Sequence, residues 1–410
     1  MAKSKIGVRV YVTLSAVAGL LVGIIWYGGV RKENEAITVV TKIEPQFKYV
    51  NGFSDNVSSV CVGNEDCKWG YIDRDGKFAV NPKFSTAGNF EDGYAYVVFK
   101  REGVLIKAIL NKKNELAPIN STSKFGVRLY EGGGTDEDIS AGLVPFGHLV
   151  DGKTLIGFVD IQGKLKIEPL YTEVQKFSEG LAAVKVGGEN GKWGFIDSNG
   201  KMLIEPQFQF VNRFSEGLAH IRIGNYKDGH NGFIDTKGQV VISPKFKNVK
   251  EFREGLAAVE VLKDGVKKWG FINKSGEMVI DAIFDFDEES IDFYFYRTMT
   301  FSDGLAAVQV SGKQENRWGF IDKSGKIIIE AQFAEAKGFS EGLAGVRIGN
   351  AEDGKWGFID KKGKFLVNPI YDDVQPFKEG MAAVKSGKGK DALWGFIEKK
   401  LTSQPHNSSK

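Results

Sequence analysis

The four histidines are the side chains best suited to proton transfer near neutral pH: His148, His220, His230 and His406. None stands at a metal-ligand or nucleophile-activating spacing. His220 takes a strand position that Ala258, Ala307 and Ala383 fill in parallel stretches, which reads as a local packing change. Glu179, Glu216, Glu254, Glu341 and Glu379 each precede a glycine in one recurring context. A glycosidase needs two carboxylates in unlike surroundings, and identical repeated positions supply no such asymmetry. Their recurrence points to turn chemistry. No phosphate-cradling glycine loop and no Gly-x-Ser-x-Gly elbow occurs. The sequence therefore predicts no catalytic residue, no cofactor and no metal site.

Two stretches break the pattern of the rest. Glu131-Gly132-Gly133-Gly134-Thr135-Asp136-Glu137-Asp138 lies in the first. Asp285-Phe286-Asp287-Glu288-Glu289 opens the second, which continues as Phe293-Tyr294-Phe295-Tyr296-Arg297. Clustered carboxylates can ligate Ca²⁺, but the EF-hand spacing is absent, and a solvated loop fits as well. Tyr, Phe and Arg are favoured at binding hot spots, so Phe293 to Arg297 is the candidate partner contact. A strand extension packed on a neighbouring unit is the competing reading.

Those breaks stand out because the rest of the 410 residues repeats. Anchors occur at Trp69, Lys107, Ile156, Trp193, Asn231, Trp269, Trp318, Trp356 and Trp394, at intervals of 38, 49, 37, 38, 38, 49, 38 and 38. The interval series is itself a block of four used twice. One unit reads Trp193-Gly194-Phe195-Ile196-Asp197, Gly200-Lys201, Ile204-Glu205-Pro206-Gln207-Phe208, then Phe214-Ser215-Glu216-Gly217-Leu218-Ala219. Period-two alternation makes the first run a strand. Asp197 to Gly200 fits a type I turn closed by a left-handed glycine. The second strand is expected to stop at Pro206, and the last to run from Leu218 to Ile223. One such meander of about 38 residues cannot bury its aromatics alone, so units must stack. Trp69, Trp193, Trp269, Trp318, Trp356 and Trp394 then read as core and not as a carbohydrate platform.

The pattern resembles the WG-repeat family over about residues 41–398. That resemblance implies a β-rich repeat array with no established catalytic residues.

Two features concern location. Val10 to Val30 is uncharged and apolar, preceded by Lys3, Lys5 and Arg9 and carrying Trp26-Tyr27 near its end. It is long enough to cross a bilayer as one transmembrane helix, with the charge bias placing the repeats outside. A cleavable signal peptide is the alternative. Cys61 and Cys67 flank a short hairpin and are expected to form a disulfide, consistent with export. Lys plus Arg (55) nearly balances Asp plus Glu (52), so nothing favours nucleic acid.

The expected architecture is all-β, a propeller-like ring or open β-spiral of three- to four-stranded antiparallel meanders. Its parts are residues 1–9 cytoplasmic, 10–30 membrane helix, 31–40 linker, 41–398 repeats and 399–410 loose tail. The expected function is a membrane-tethered, extracytoplasmic binding or scaffolding module for a protein or cell-wall ligand. An envelope glycan hydrolase with carboxylates at the array opening is the alternative.

Overall fold

The computed structural model describes residues 35–64, 66–119, 139–150, 152–188, 190–225, 228–285, 298–310, 317–350 and 352–403. Contacts divide the chain into Ile37–Leu401 and a second unit, Met1–Ala36 with Thr402–Lys410, described only at 35–36 and 402–403. The expected membrane helix at 10–30 lies outside the described residues. No helix among the described residues is long and apolar enough to cross a membrane.

Ile37–Leu401 is built from nine antiparallel sheets, the blades of a propeller, here numbered by the nine anchors in chain order. Seven blades have four described strands; blades three and six have three. Blade five is typical: Phe210–Val211, Leu218–Ile223, His230–Asp235 and Val240–Phe246 run in spatial order as in sequence.

The local chemistry explains each connection. The two-residue turn at Glu216-Gly217 needs positive φ at both positions, and these are 54° and 84°. Glycine meets that need without strain. Glutamate does not, so its presence calls for a second reason, given below. At Asp197, the Oδ1 atom accepts from the backbone N–H groups of Asn199 and Lys201, both at 2.9 Å, and Gly200 closes the turn at φ 82°. That is the turn expected from the sequence.

One strand differs from expectation. Met202–Phe208 runs through Pro206 instead of stopping there. The strand is the outermost of its blade and bulges over Gly194, where a Cβ would lie 2.4 Å from the Ile204 carbonyl oxygen. Proline is tolerated because an edge strand at a bulge needs no ladder donor there. The glycine that follows every anchor but Lys107, which has Ala108, is thus required by the backbone crossing it.

Whether the array closes is settled by its ends. Blade nine takes its outermost strand, Glu35–Phe47, from the start of the chain, beside Leu393–Ser403. The structure is a closed ring, not an open spiral. Six residues of the expected linker and five of the expected tail are strand.

Each seam repeats one set of contacts. Phe195 of blade four meets Phe214 of blade five with ring centroids 4.9 Å apart. The same contact joins Phe233 to Phe252 at 4.8 Å, Phe320 to Phe339 at 4.9 Å and Tyr71 to Phe90 at 4.9 Å. Across the closing seam Phe396 meets Phe53 at 5.0 Å. Trp193, Trp269, Trp318, Trp356 and Trp394 are buried, and Trp69 is half-buried. Trp318 belongs to a cluster containing Phe320 and Phe333 of blade seven and Phe339, Ala344 and Ile359 of blade eight. Replacing Trp318 with Ala should therefore cost about 3–5 kcal/mol in chemical denaturation. Hydrogen exchange should rise in blades seven and eight together; a loss confined to blade seven would contradict the shared core.

Candidate functional site

The recurring glutamates do more than turn the chain. Each of the five carboxylates crosses one seam and accepts a backbone N–H from the next blade. Glu179 takes Gly217 N at 2.8 Å, Glu216 takes Gly255 N at 2.9 Å, and Glu341 takes Gly380 N at 2.9 Å. Asp303 does the same to Gly342 N at 2.6 Å. At the closing seam Glu379 accepts from Asp55 N at 2.8 Å and Asn56 N at 2.9 Å. Blade three has Ala141 at this position and so carries no carboxylate to offer blade four. Charge is the second reason for an acidic residue: an Asn-Gly turn would be less strained but would offer a neutral amide oxygen in place of a carboxylate, and Asp303 shows that the shorter acid reaches as well. Burial draws the Glu216 carboxyl upward, but the Gly255 N–H and Lys274 outweigh it and hold it below the usual carboxylate range. Lys274 lies 3.2 Å away, from the outer hairpin of blade six. These carboxylates are spent on cohesion.

The serine before Glu179, Glu216 and Glu341 forms a second tie. Ser178, Ser215 and Ser340 donate from Oγ to the carbonyls of Phe214, Phe252 and Phe377 of the following blade, at 2.7, 2.7 and 2.6 Å. At the closing seam Lys378 donates to Ser54 Oγ at 3.1 Å.

Blade five holds a buried histidine cluster. His220 is 8% exposed and lies between the rings of Phe210 and Phe233. Its Nε2 is 2.6 Å from Asn231 Oδ1, which also accepts from Arg222 Nε at 3.2 Å. Asn231 Nδ2 donates to the carbonyls of Lys247 and Phe246. The amide orientation makes Oδ1 the acceptor, so the imidazole donates from Nε2 and leaves Nδ1 facing the Asn212 amide at 3.5 Å. The ring is neutral: burial pushes its pKa down to about 4, the Asn231 bond opposes this, and Arg222 adds to it. Asn231 stands where most blades carry tryptophan. His220 and Asn231 are thus one paired exchange of an apolar contact for a polar one. Both departures are visible in the sequence, but their pairing across a hairpin is not.

The remaining candidates are placed as follows. Cys61 and Cys67 form a disulfide, with Cα atoms 5.5 Å apart, at the hairpin between the second and third strands of blade one. His148 lies on strand Leu143–Val150, His230 is exposed, and His406 lies outside the described residues. Phe293, Tyr294, Phe295, Tyr296 and Arg297 lie outside the described residues, as do residues 131–138. Among the described residues no group of three or more His, Cys, Asp or Glu is placed to hold a metal ion.

Closed, four-stranded and radially repeated, the ring is a nine-bladed β-propeller, an architecture suited to binding or scaffolding. Segments 69–100, 156–189, 193–226, 232–263, 269–286, 318–350 and 356–389 match the WG containing repeat family, and the chain belongs to that family. The seven segments begin at or one residue after seven of the nine anchors; none begins at Lys107 or Trp394. No curated protein matches the chain. Among solved structures it is similar to a eukaryotic initiation factor at 10% identity, with TM-score 0.48, 82% of this chain and 95% of that one covered. It is also similar to an uncharacterized protein from Listeria monocytogenes EGD-e at 14% identity, with TM-score 0.38, 69% of this chain and 93% of that one covered. A third likeness is the β-propeller domain of the Trilobed protease from Pyrococcus furiosus, at 12% identity with TM-score 0.35, covering 80% and 100%. Likenesses this distant carry nothing about activity.

The His220 pocket yields a pH prediction. Between the ordinary histidine value near 6.5 and about 4, the unfolded chain takes up a proton that the ring refuses. Stability is therefore lost as pH falls through that window, by about 2 kcal/mol at pH 5 from this group. Thermal melts of the wild type and of His220→Ala, from pH 7.5 to 5, should show a shallower decline in the variant. Equal slopes would mean that His220 is already charged in the ring.

Proposed function

We propose that this protein is a membrane-tethered, non-catalytic binding or scaffolding ring displayed outside the cytoplasm. The observation that carries the reading is how the second insertion is mounted. Asp285, its first stem, bonds through its backbone N–H to the Gln309 carbonyl at 3.0 Å and through its carboxylate to Lys268 at 2.6 Å. Met299, its second stem, is fully buried and bonds through N–H to the Ala307 carbonyl at 3.0 Å. Both stems are fixed in blade seven, so the segment between them is presented by a rigid frame, the usual setting of a binding loop. The aromatic run Phe293 to Arg297 falls in that segment. The Cys61–Cys67 disulfide supports an oxidising location. The uncharged Val10 to Val30 run supports a single-pass anchor. The ligand class that fits is a protein or cell-wall component.

Cross-linking of intact spheroplasts with a membrane-impermeant reagent tests location and site together. The ring should be labelled and should carry a partner, and Tyr294→Ala with Tyr296→Ala should abolish capture while leaving the melting temperature unchanged. No labelling would contradict the location. A melting loss as large as that of Trp318→Ala would place the aromatic run in the core.

A further inference from the structure

We propose that the face of the ring carrying the outer hairpins rests on the bilayer, with the lysines of blade eight seated among anionic lipid headgroups. The inference rests on the reading of Val10 to Val30 as an anchor and adds which way the ring faces.

The path of the chain sets the geometry. In blades one to eight a short outer hairpin joins the two outermost strands, as Asp197 to Lys201 does in blade four, and the common strand order puts these hairpins on one face. Blade nine has none. Glu398 pairs with Met381 as Asp197 pairs with Leu181, and the strand then runs on through Lys399 to Leu401. Its neighbour, Glu35–Phe47, comes from the start of the chain, so the chain enters the ring on the outer-hairpin face. Ile37 follows Val30 by seven residues, a reach of at most roughly 25 Å. An anchored run therefore brings this sector of that face close to the bilayer surface. Asp285 follows Met278–Phe284, a strand that starts at an outer hairpin, so this stem of the second insertion is on the face turned away.

Charge picks out the same sector. After its capping Asp360, blade eight's outer hairpin reads Lys361-Lys362-Gly363-Lys364, with all three lysines exposed and no acid among them. The other outer hairpins carry at most two cations, and those of blades one, two and six also carry an acid. Where blades six, seven and nine offer a lysine at the first position, it is spent on a seam glutamate. Lys274 takes Glu216, Lys323 takes Glu254 and Lys399 takes Glu341, at 3.2, 3.0 and 3.1 Å. Blade eight faces Asp303 instead, whose carboxylate takes the Gly342 N–H. Among the described residues Lys361, Lys362 and Lys364 make no ion pair. Asp360 is turned into its own hairpin, accepting the backbone N–H groups of Lys362 and Lys364 at 2.9 Å. Glu398 and Asp75, on the same face, are paired with Arg74 at 3.2 Å and Lys42 at 2.8 Å. The strand after Lys364 and the entering strand are neighbours, since Leu366, Val367 and Val39 pack against one core cluster. Val40 and Leu401 on the two closing strands are 38% and 63% exposed, apolar side chains that the headgroup layer can accept. Lysines act on an anionic surface over roughly 8–10 Å, and each one close to it strengthens binding about fivefold.

The test uses the full-length chain with vesicles of phosphatidylcholine alone or mixed with phosphatidylglycerol. Flotation with the neutral vesicles in high salt reads the anchor. A fluorophore on Ser324→Cys, in the outer hairpin of blade seven, reads the contact through a headgroup-borne quencher. A second fluorophore, on Glu352→Cys of the opposite face, is the reference; both positions are exposed. With the anionic lipid, the Ser324→Cys label should be quenched several-fold more than the reference, and high salt should remove the difference. Lys361→Gln, Lys362→Gln and Lys364→Gln together should abolish it, with flotation and melting temperature unchanged, while Arg at the three positions should keep it. Equal quenching on the two faces, or quenching indifferent to lipid charge or to the Gln substitutions, would overturn the proposal and leave the anchor standing. Failure to float with neutral vesicles would remove the anchor and the proposal with it.

Discussion

One contact between aromatic rings, repeated around the ring, holds the structure together. A blade of four short strands has two apolar faces and can cover neither by itself. The phenylalanine two residues after the anchor therefore meets the phenylalanine that precedes the Ser-Glu-Gly turn of the next blade. Such pairs are found from Tyr71–Phe90 in the first seam to Phe53–Phe396 in the last, and the seam from blade two to three uses Ile109 and Ile139 instead. Each pair adds about 0.5–1.5 kcal/mol beyond the area it buries. The glutamate and serine ties then fix the distance between blades. They are polar, directional and close to the aromatic pair in sequence, so one short segment supplies both kinds of cohesion.

Much of this was legible in the residues. The period, the strand Leu218–Ile223, the Asp197 turn and the disulfide follow from local pattern, because each is decided within a few residues. Closure was not, since a ring and a spiral bury the same faces in every blade except the terminal ones. What decides between them is the lone strand Glu35–Phe47, and sequence shows it only as an incomplete unit. The role of Glu216 was half visible: recurrence beside glycine marks a turn, but nothing local shows what a carboxylate reaches in the next blade. Pro206 misled because the rule against proline in ladders assumes a neighbour on both sides, and this strand has one.

The departures from the repeat cluster in particular seams. Lys107 replaces tryptophan in blade two, and burial pushes its amine down to about 8. Ile156 replaces it in blade three, and Asn231 in blade five, where His220 and Arg222 answer it. A repeat architecture tolerates such exchanges because each blade touches only its neighbours. Specific chemistry can then be confined to one seam or one loop while the frame stays intact. The same logic accounts for two insertions at matching places in blades three and seven.

Closure is the claim on which the account rests, because it makes blade nine as secure as any interior blade. Native-state hydrogen exchange measures this directly through the amides of Gly395, Phe396 and Ile397, compared with Gly194, Phe195 and Ile196 of blade four. In a closed ring the two sets exchange with comparable protection, since Leu393–Ser403 is flanked on both sides and sealed by Phe53 and Glu379. Exchange at 395–397 faster by orders of magnitude, as at a fraying end, would show an open array and contradict the account.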